Sequence, residues 1–332
     1  MTLKITPEPV RSFLTYKQVI QNCSKLTCEK YEHDLSLFFR FIISKSENRP
    51  FDDVDPLELE KIDMDRVASI RSEDIYAFLL FLANERDNGD SARARRLSTL
   101  RAFYKYHTQK SKTLTDNPVK DIDSPNIKHK LPRYLSIDES LELLNSVDKG
   151  SKTYARDYCM LTLFLNCGMR LSELVNINLT DIKDDFSSLV VTGKGSKQRV
   201  IYLNTACRDA VKNYLEVRTK GVYKDFQINV KDKNALFLSG NGTRISGKTV
   251  QYTVKKHLRM AGLGNKGYST HKLRHTAATL MYESGNVDVR ALKDILGHEQ
   301  LNTTQIYTHV SNEKLKEAME ANPLSGVKQK ND

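Results

Sequence analysis

The sequence predicts a mainly α-helical chain in two domains, the second carrying a small antiparallel β-sheet. Three observations predict it. Apolar residues recur at helical spacing through the first third. A proline-interrupted basic stretch then separates that third from the rest. The remainder holds one pair of short alternating segments, joined by a glycine-flanked lysine, among further helical runs. A length of 332 residues also favours two domains over one.

In the first third, LTCEKYEHDLSLFFRFIIS places Tyr31, Leu35, Phe38, Phe39 and Ile42 on one helical face. DIYAFLLFLAN and SARARRLSTLRAFYKYHTQ follow as two more helices. Between the first two, ENRPFDDVDPLELEKIDMDR is acidic and broken by Pro50 and Pro56, which predicts a surface excursion turned away from any polyanion. The third helix sets Arg93, Arg96, Arg101 and Lys105 beside Leu97, Leu100 and Tyr104, a basic face next to an apolar one. Such a face is often merely solvated. Here it agrees in sign with the whole chain, which has Lys+Arg 52 against Asp+Glu 41 and a net charge of +11. That balance favours nucleic acid as the partner class.

Residues 1–115 therefore read as a helical domain and 116–133, DNPVKDIDSPNIKHKLPR, as the linker. Pro118, Pro125 and Pro132 extend it, and Lys128 and Lys130 make its C-terminal end basic, suited to a phosphate backbone. The second domain, 134–310, opens on the capping box Ser136-x-x-Glu139. YARDYCMLTLFLNCG is apolar nearly all round, as a central buried helix would be. SSLVVTG and KQRVIYLN alternate about Gly193-Lys194-Gly195, a hairpin with lysine at its tip. A tail, 311–332, has Leu315, Ala318 and Met319 on one helical stripe before a disorder-prone basic end. The cysteines are odd in number and lack a C-x-x-C pair, so Cys159 and Cys167 read as reduced core residues. No signal-peptide core and no membrane-length apolar run is present, which predicts a cytoplasmic protein without a membrane partner.

Two motifs point elsewhere and are set aside. Gly242-x-x-x-x-Gly247-Lys248-Thr249 matches a phosphate-cradling loop, but no later aliphatic strand ends in the Asp a nucleotide-bound metal requires. Lys248 is left as a contact for a backbone phosphate. His271 and His275 have zinc-ligand spacing, with His298 as a third candidate. Arg274 lies between them on the same face, and a fixed cation opposes a divalent metal. No metal and no cofactor are expected.

The remaining constellation is four polar segments that a core would not want. CGMRLSELVNI carries Arg170 and Glu173, VTGKGSKQR carries Lys194, THKLRH carries His271 and Arg274, and ILGHEQLNTTQIYTHV carries His298 and Tyr307. Each has an ordinary reading alone: Arg170 pairing with Glu173 or Asp181, Lys194 solvated at a turn, Tyr307 packed with its hydroxyl outward. At the start of one helix, however, His271, Arg274 and His275 crowd one turn at the positive end of the macrodipole, which calls for an anion. Together the residues suit a phosphodiester. Arginine forks bind its non-bridging oxygens, histidines move protons near neutral pH, a lysine protonates a departing alkoxide, and a phenol in a cationic cluster becomes a nucleophile.

The order Arg, Lys, His-x-x-Arg, His, Tyr, set in GMRLSEL, GKGSK, HKLRHTAAT, LGH and TTQIYTHV, resembles the tyrosine recombinase, or phage integrase-like, family and its bacterial Xer-like branch. The resemblance implies a helical, SAM-like core-binding domain followed by a mixed α/β catalytic domain. It implies Arg170 and Arg274 as a phosphate clamp, Lys194 as general acid, His271 and His298 in support, Glu173 as a buttress for Arg170, and Tyr307 as nucleophile. It further implies a site-specific recombinase that joins itself to DNA through a 3′-phosphotyrosine, without metal or ATP. Such an enzyme works on double-stranded DNA at a specific site as a homo-tetramer whose tail is exchanged between protomers, for mobile-element integration and excision or for Xer-type dimer resolution. A directionality factor or a second recombinase is a possible partner, and association with the nucleoid is expected. The alternatives are a type IB topoisomerase-like nicking-closing enzyme and a non-catalytic architectural DNA-binding protein of the same fold.

Overall fold

The computed structural model describes residues 6–126, 133–193, 197–223, 226–227, 230–285 and 287–297. It divides into two compact units, split between Lys130 and Leu131.

The first unit is helical: α1 (Glu8–Val19), α2 (Lys25–Glu47), α3 (Met64–Ala68), α4 (Ser72–Asn84) and α5 (Asp90–Gln109). Helix α2 starts where the Ser24 hydroxyl accepts the Thr27 N–H at 3.2 Å and stops at Asn48, a residue type that tolerates its left-handed φ of 49°. Its Leu35, Phe38, Phe39 and Ile42 pack against Phe13, Phe78, Phe103 and Tyr104. Edge-on ring pairs such as Phe38 with Phe78, centroids 5.1 Å apart, fill this core.

Two expectations for this unit are corrected. The acidic stretch after Pro50 is no free excursion, because Phe51, Val54, Leu59 and Ile62 are buried in the same core. Two short 3₁₀ turns, Phe51–Asp53 and Pro56–Lys61, point those residues inward and leave Asp52, Asp53 and Asp55 exposed. The first half of the expected linker also packs here: Val119 and Ile122 are buried in the first core. Pro118 sits in a turn that the Lys120 N–H closes on the Asn117 carbonyl at 3.2 Å, and Val119 and Ile122 dock from there; Pro132 lies outside the described residues.

The second unit begins at α6 (Ile137–Asn145), whose capping box forms: Ser136 Oγ accepts the Glu139 N–H at 3.1 Å and Glu139 Oε2 accepts the Ser136 N–H at 2.9 Å. Helix α7 (Tyr154–Cys167) is its central rod, buried but for Tyr154, Arg156, Tyr158 and Asn166, which are half-buried. It ends at Gly168 with φ 57°, and α8 (Leu171–Asn176) follows at once. Strands β1 (Ser188–Thr192) and β2 (Gln198–Tyr202) pair antiparallel with Val190 opposite Val200. Then come α9 (Thr205–Lys220), the two-residue strands β3 (Val222–Tyr223) and β4 (Phe226–Gln227), α10 (Gly247–Met260), α11 (Thr270–Glu283) and α12 (Val289–Leu296). The two sheets among the described residues are both two-stranded and antiparallel, so the parallel sheet of a nucleotide-binding loop is not among them. In its place Ser246 caps α10, accepting the Thr249 N–H at 3.1 Å, which makes the Gly-Lys-Thr run an ordinary helix start.

Candidate active site

Three helices bring the site together. Arg170 sits at the N-cap of α8, just past the glycine that ends α7. Arg274 lies one turn into α11, and α12 ends at Gly297 with φ 64°. Both glycines are required. A Cβ at Gly168 would stand 2.9 Å from Leu296 Cδ2, and one at Gly297 would stand 2.9 Å from Arg199 Cδ, in addition to the strained φ at each position.

Glu173 is the centre. Its carboxylate is buried, and it accepts the Arg170 backbone N–H at 2.7 Å and Arg170 Nη1 at 2.8 Å. Arg199 grips both oxygens, through Nη1 to Oε1 and through Nη2 to Oε2 at 3.1 Å. Arg274 Nη1 stands 3.9 Å from Oε2. Burial pulls this carboxyl upward, but the hydrogen bonds from Arg199 and Arg170 outweigh it and hold Glu173 below the usual carboxylate range. Of the partners weighed for Arg170, the structure selects Glu173.

The same arginines hold helix ends. Arg274 donates at 2.7 Å to the Gly168 carbonyl and at 2.7 Å to the Leu296 carbonyl. Arg170 Nη2 donates at 2.8 Å to the Gly297 carbonyl, and Arg199 Nε at 3.2 Å to that of Ile295. Three successive carbonyls at the negative end of α12 therefore meet three guanidinium groups. Exposure separates the arginines: the Arg170 side chain is 37% exposed and that of Arg274 only 4%. His271 keeps the same face of α11, its Nε2 3.1 Å from His275 Nε2. Desolvation of its ring, then the cations of Arg274, Lys272 and Arg170, push its pKa below the ordinary histidine value.

The β1–β2 hairpin approaches this cluster. A Cβ on Gly193 would be 3.7 Å from Glu173 Oε1 and 4.0 Å from Arg170 Nη1. Lys194 itself lies outside the described residues, as do His298, Tyr307, Lys128 and Lys130. Among the residues expected to bind nucleic acid, Lys105 and Lys248 are exposed. Arg96 and Arg101 are half-buried and hydrogen-bond within the first unit. Arg96 Nε is 3.7 Å from buried Asp34, while Arg101 Nη1 donates to Ser124 Oγ at 2.7 Å and Nη2 to the Ile122 carbonyl. Arg93 pairs with Asp90 in the first turn of its helix. Among the described residues no cluster of three or more His, Cys, Asp or Glu is arranged to hold a metal.

Arg199 escaped the sequence reading. The signal was available: on β2 the alternation puts residue 199 on the inward face with Ile201, and an arginine there needs a buried anion.

Residues 133–314 match the model of the phage integrase family. Over 323 residues the chain is 50% identical to the tyrosine recombinase XerC of Caldanaerobacter subterraneus subsp. tengcongensis, covering 96% of this chain and 88% of that protein. The chain belongs to the phage integrase family. Within it, the chain stands in the Xer-like bacterial branch of tyrosine recombinases, and is thus a site-specific DNA recombinase that breaks and rejoins strands. The XerC of Leptospira interrogans serovar copenhageni is 30% identical over 312 residues, 93% of this chain and 91% of that one. The fold of the recombinase matches that of XerH recombinase, solved on palindromic difH substrate as a post-cleavage complex, with a TM-score of 0.67 at 22% identity over 97% and 98% of the two chains. A lambda integrase dimer on a core site matches with a TM-score of 0.62 at 18% identity, over 88% and 96%. No described helix is long and apolar enough to cross a membrane.

Proposed function

We propose that this recombinase cleaves a specific duplex site through Tyr307, with Arg170 and Arg274 as the phosphate clamp, Lys194 as general acid, and His271 and His298 in support. The observation that carries the reading is the convergence of Arg170 and Arg274, about a hundred residues apart in sequence, on one buried carboxylate. A cation held from behind by Glu173 keeps its outer edge for a second anion. Arg170, more exposed than Arg274, is first to meet the scissile phosphate. The carbonyls of Gly168, Leu296 and Gly297 stand in for phosphate oxygens in the free protein, and exchange with them completes the clamp.

Tyr307 Oη attacks phosphorus, the bond to the 5′-oxygen breaks, and Lys194 protonates that oxygen, leaving a 3′-phosphotyrosine and a 5′-hydroxyl. A 5′-hydroxyl from a partner strand then attacks the phosphotyrosine and releases the phenol, which conserves the ester energy. Charge that grows on the equatorial oxygens meets preorganised donors. The depressed pKa of His271 leaves its ring neutral at pH 7 and able to accept a proton.

Relatives called XerC along nearly the whole chain favour dimer resolution over mobile-element integration as the biological role. Four protomers on two aligned sites are the assembly that role requires. DNA lies against the outward face of α10, where Lys248, Tyr252, Lys255, Lys256 and Arg259 are exposed while Val250, Val254 and Leu258 face the core. A nicked suicide duplex tests the chemistry: the parent chain traps an SDS-resistant adduct, and an equal adduct from Tyr307→Phe would refute the assignment. A plasmid with two directly repeated sites tests the role, since dimer resolution requires deletion of the intervening segment without an added directionality factor.

A further inference from the structure

Arg199 enters the second unit from the hairpin, its side chain 15% exposed. Its planar fork joins three elements at once. Nη1 and Nη2 span the two oxygens of Glu173 on α8, and Nε donates at 3.2 Å to the Ile295 carbonyl near the end of α12. Gly297 is within reach of the same guanidinium, with a virtual Cβ 3.2 Å from Arg199 Nε, so only a glycine lets the side chain pass. A lysine presents a single point charge and cannot satisfy a carboxylate pair and a carbonyl together.

We propose that Arg199 is a positioning residue for strand cleavage. It fixes the Glu173 carboxylate and thereby the stance of the Arg170 guanidinium, while fastening the last turn of α12 to the same anion. The proposal rests on the reading of Arg170 as a phosphate ligand. Without Arg199, the buried negative charge of Glu173 falls on the two arginines that remain, Arg170 Nη1 at 2.8 Å and Arg274 Nη1 at 3.9 Å. Both are drawn inward, away from the phosphate. A shift on the order of 1 Å in such a group costs about 100-fold in rate.

The test is single-turnover cleavage of a suicide duplex by the full chain, with either a phosphodiester or a methylphosphonate at the scissile position. The methylphosphonate carries a methyl group in place of one anionic oxygen, so the charge an arginine must neutralise is missing. Arg199→Met is expected to cleave the phosphodiester about 10- to 100-fold more slowly at unchanged duplex affinity. On the methylphosphonate its deficit relative to the parent should contract to about threefold or less. Arg199→Lys keeps the buried positive charge and hence the fold, and should show a smaller deficit with the same contraction. Equal deficits on the two substrates for both variants would overturn the proposal, as would parent-like phosphodiester cleavage by Arg199→Met. Arg170→Ala serves as control. If its deficit is undiminished on the methylphosphonate, the reading of Arg170 falls and this proposal with it; relief for Arg170→Ala without relief for the Arg199 variants overturns the role of Arg199 alone.

Discussion

Replacing Glu173 by glutamine removes a charge while nearly preserving shape, and its cost can be worked from the contacts. The carboxylate accepts four hydrogen bonds, from the Arg170 backbone N–H, Arg170 Nη1 and two nitrogens of Arg199. An amide keeps one acceptor oxygen, so about half of these contacts become donor facing donor. At about 1.5–3 kcal/mol for each hydrogen bond to a charged group, two losses amount to roughly 3–6 kcal/mol. Breaking one partner out of a buried ion pair gives a similar figure, about 3–5 kcal/mol. The lower end, about 3 kcal/mol, corresponds to a melting-temperature drop of roughly 6–12 °C for a unit of this size. The pH dependence carries a definite sign. The folded pKa of Glu173 is depressed, so its contribution is fully present above the unfolded carboxylate value near 4.5 and is lost as pH falls through the folded value. The gap between parent and Glu173→Gln should therefore be widest near pH 7 and should close in acid below about pH 4.5. Thermal melts of the full chain at several pH values measure it. A glutamine variant as stable as the parent at pH 7 would refute the reasoning.

Further expectations concern the same site. Arg170→Ala should slow single-turnover cleavage on the order of 10²–10³-fold, read as covalent adduct against time. Gly168→Ala places a Cβ at φ 57°, which costs about 1–2 kcal/mol for the left-handed backbone alone and should appear as a lower urea midpoint. Because the pKa of His271 is lowered on folding, the unfolded chain takes up a proton that the folded chain refuses as pH drops below about 6.5, and stability should decline from there. His271→Asn should flatten that decline in denaturant titrations. The duplex affinity of the parent should fall steeply with salt, and Lys248→Gln should reduce the slope of log K against log salt by about one.

Much of the recombinase was legible in its residues. The capping box at Ser136, the buried rod of α7 and the hairpin about Gly193 each follow from local pattern, because caps and periodicity act within a few residues. Helix α1 went unread, since its apolar stripe is short; Val10 and Phe13 declare themselves only when Phe103 and Tyr31 pack on them. The partners of the α5 arginines are hidden from the sequence for a related reason. Charge and spacing place Arg96 and Arg101 on a helix face, but whether that face meets water or Asp34 and the Ile122 carbonyl depends on chain far away in sequence.

The sequence by itself determined the helical class, the β1–β2 hairpin and the kinds of side chain that phosphoryl transfer needs, because these depend on local periodicity and on residue chemistry. Tertiary structure alone decided that Glu173 gathers Arg170, Arg199 and Arg274 at once, and that the end of α12 rests on all three guanidinium groups. A buried carboxylate selects its partners by distance in space, and distance in space is set only when α8, α11, α12 and the hairpin close on one another.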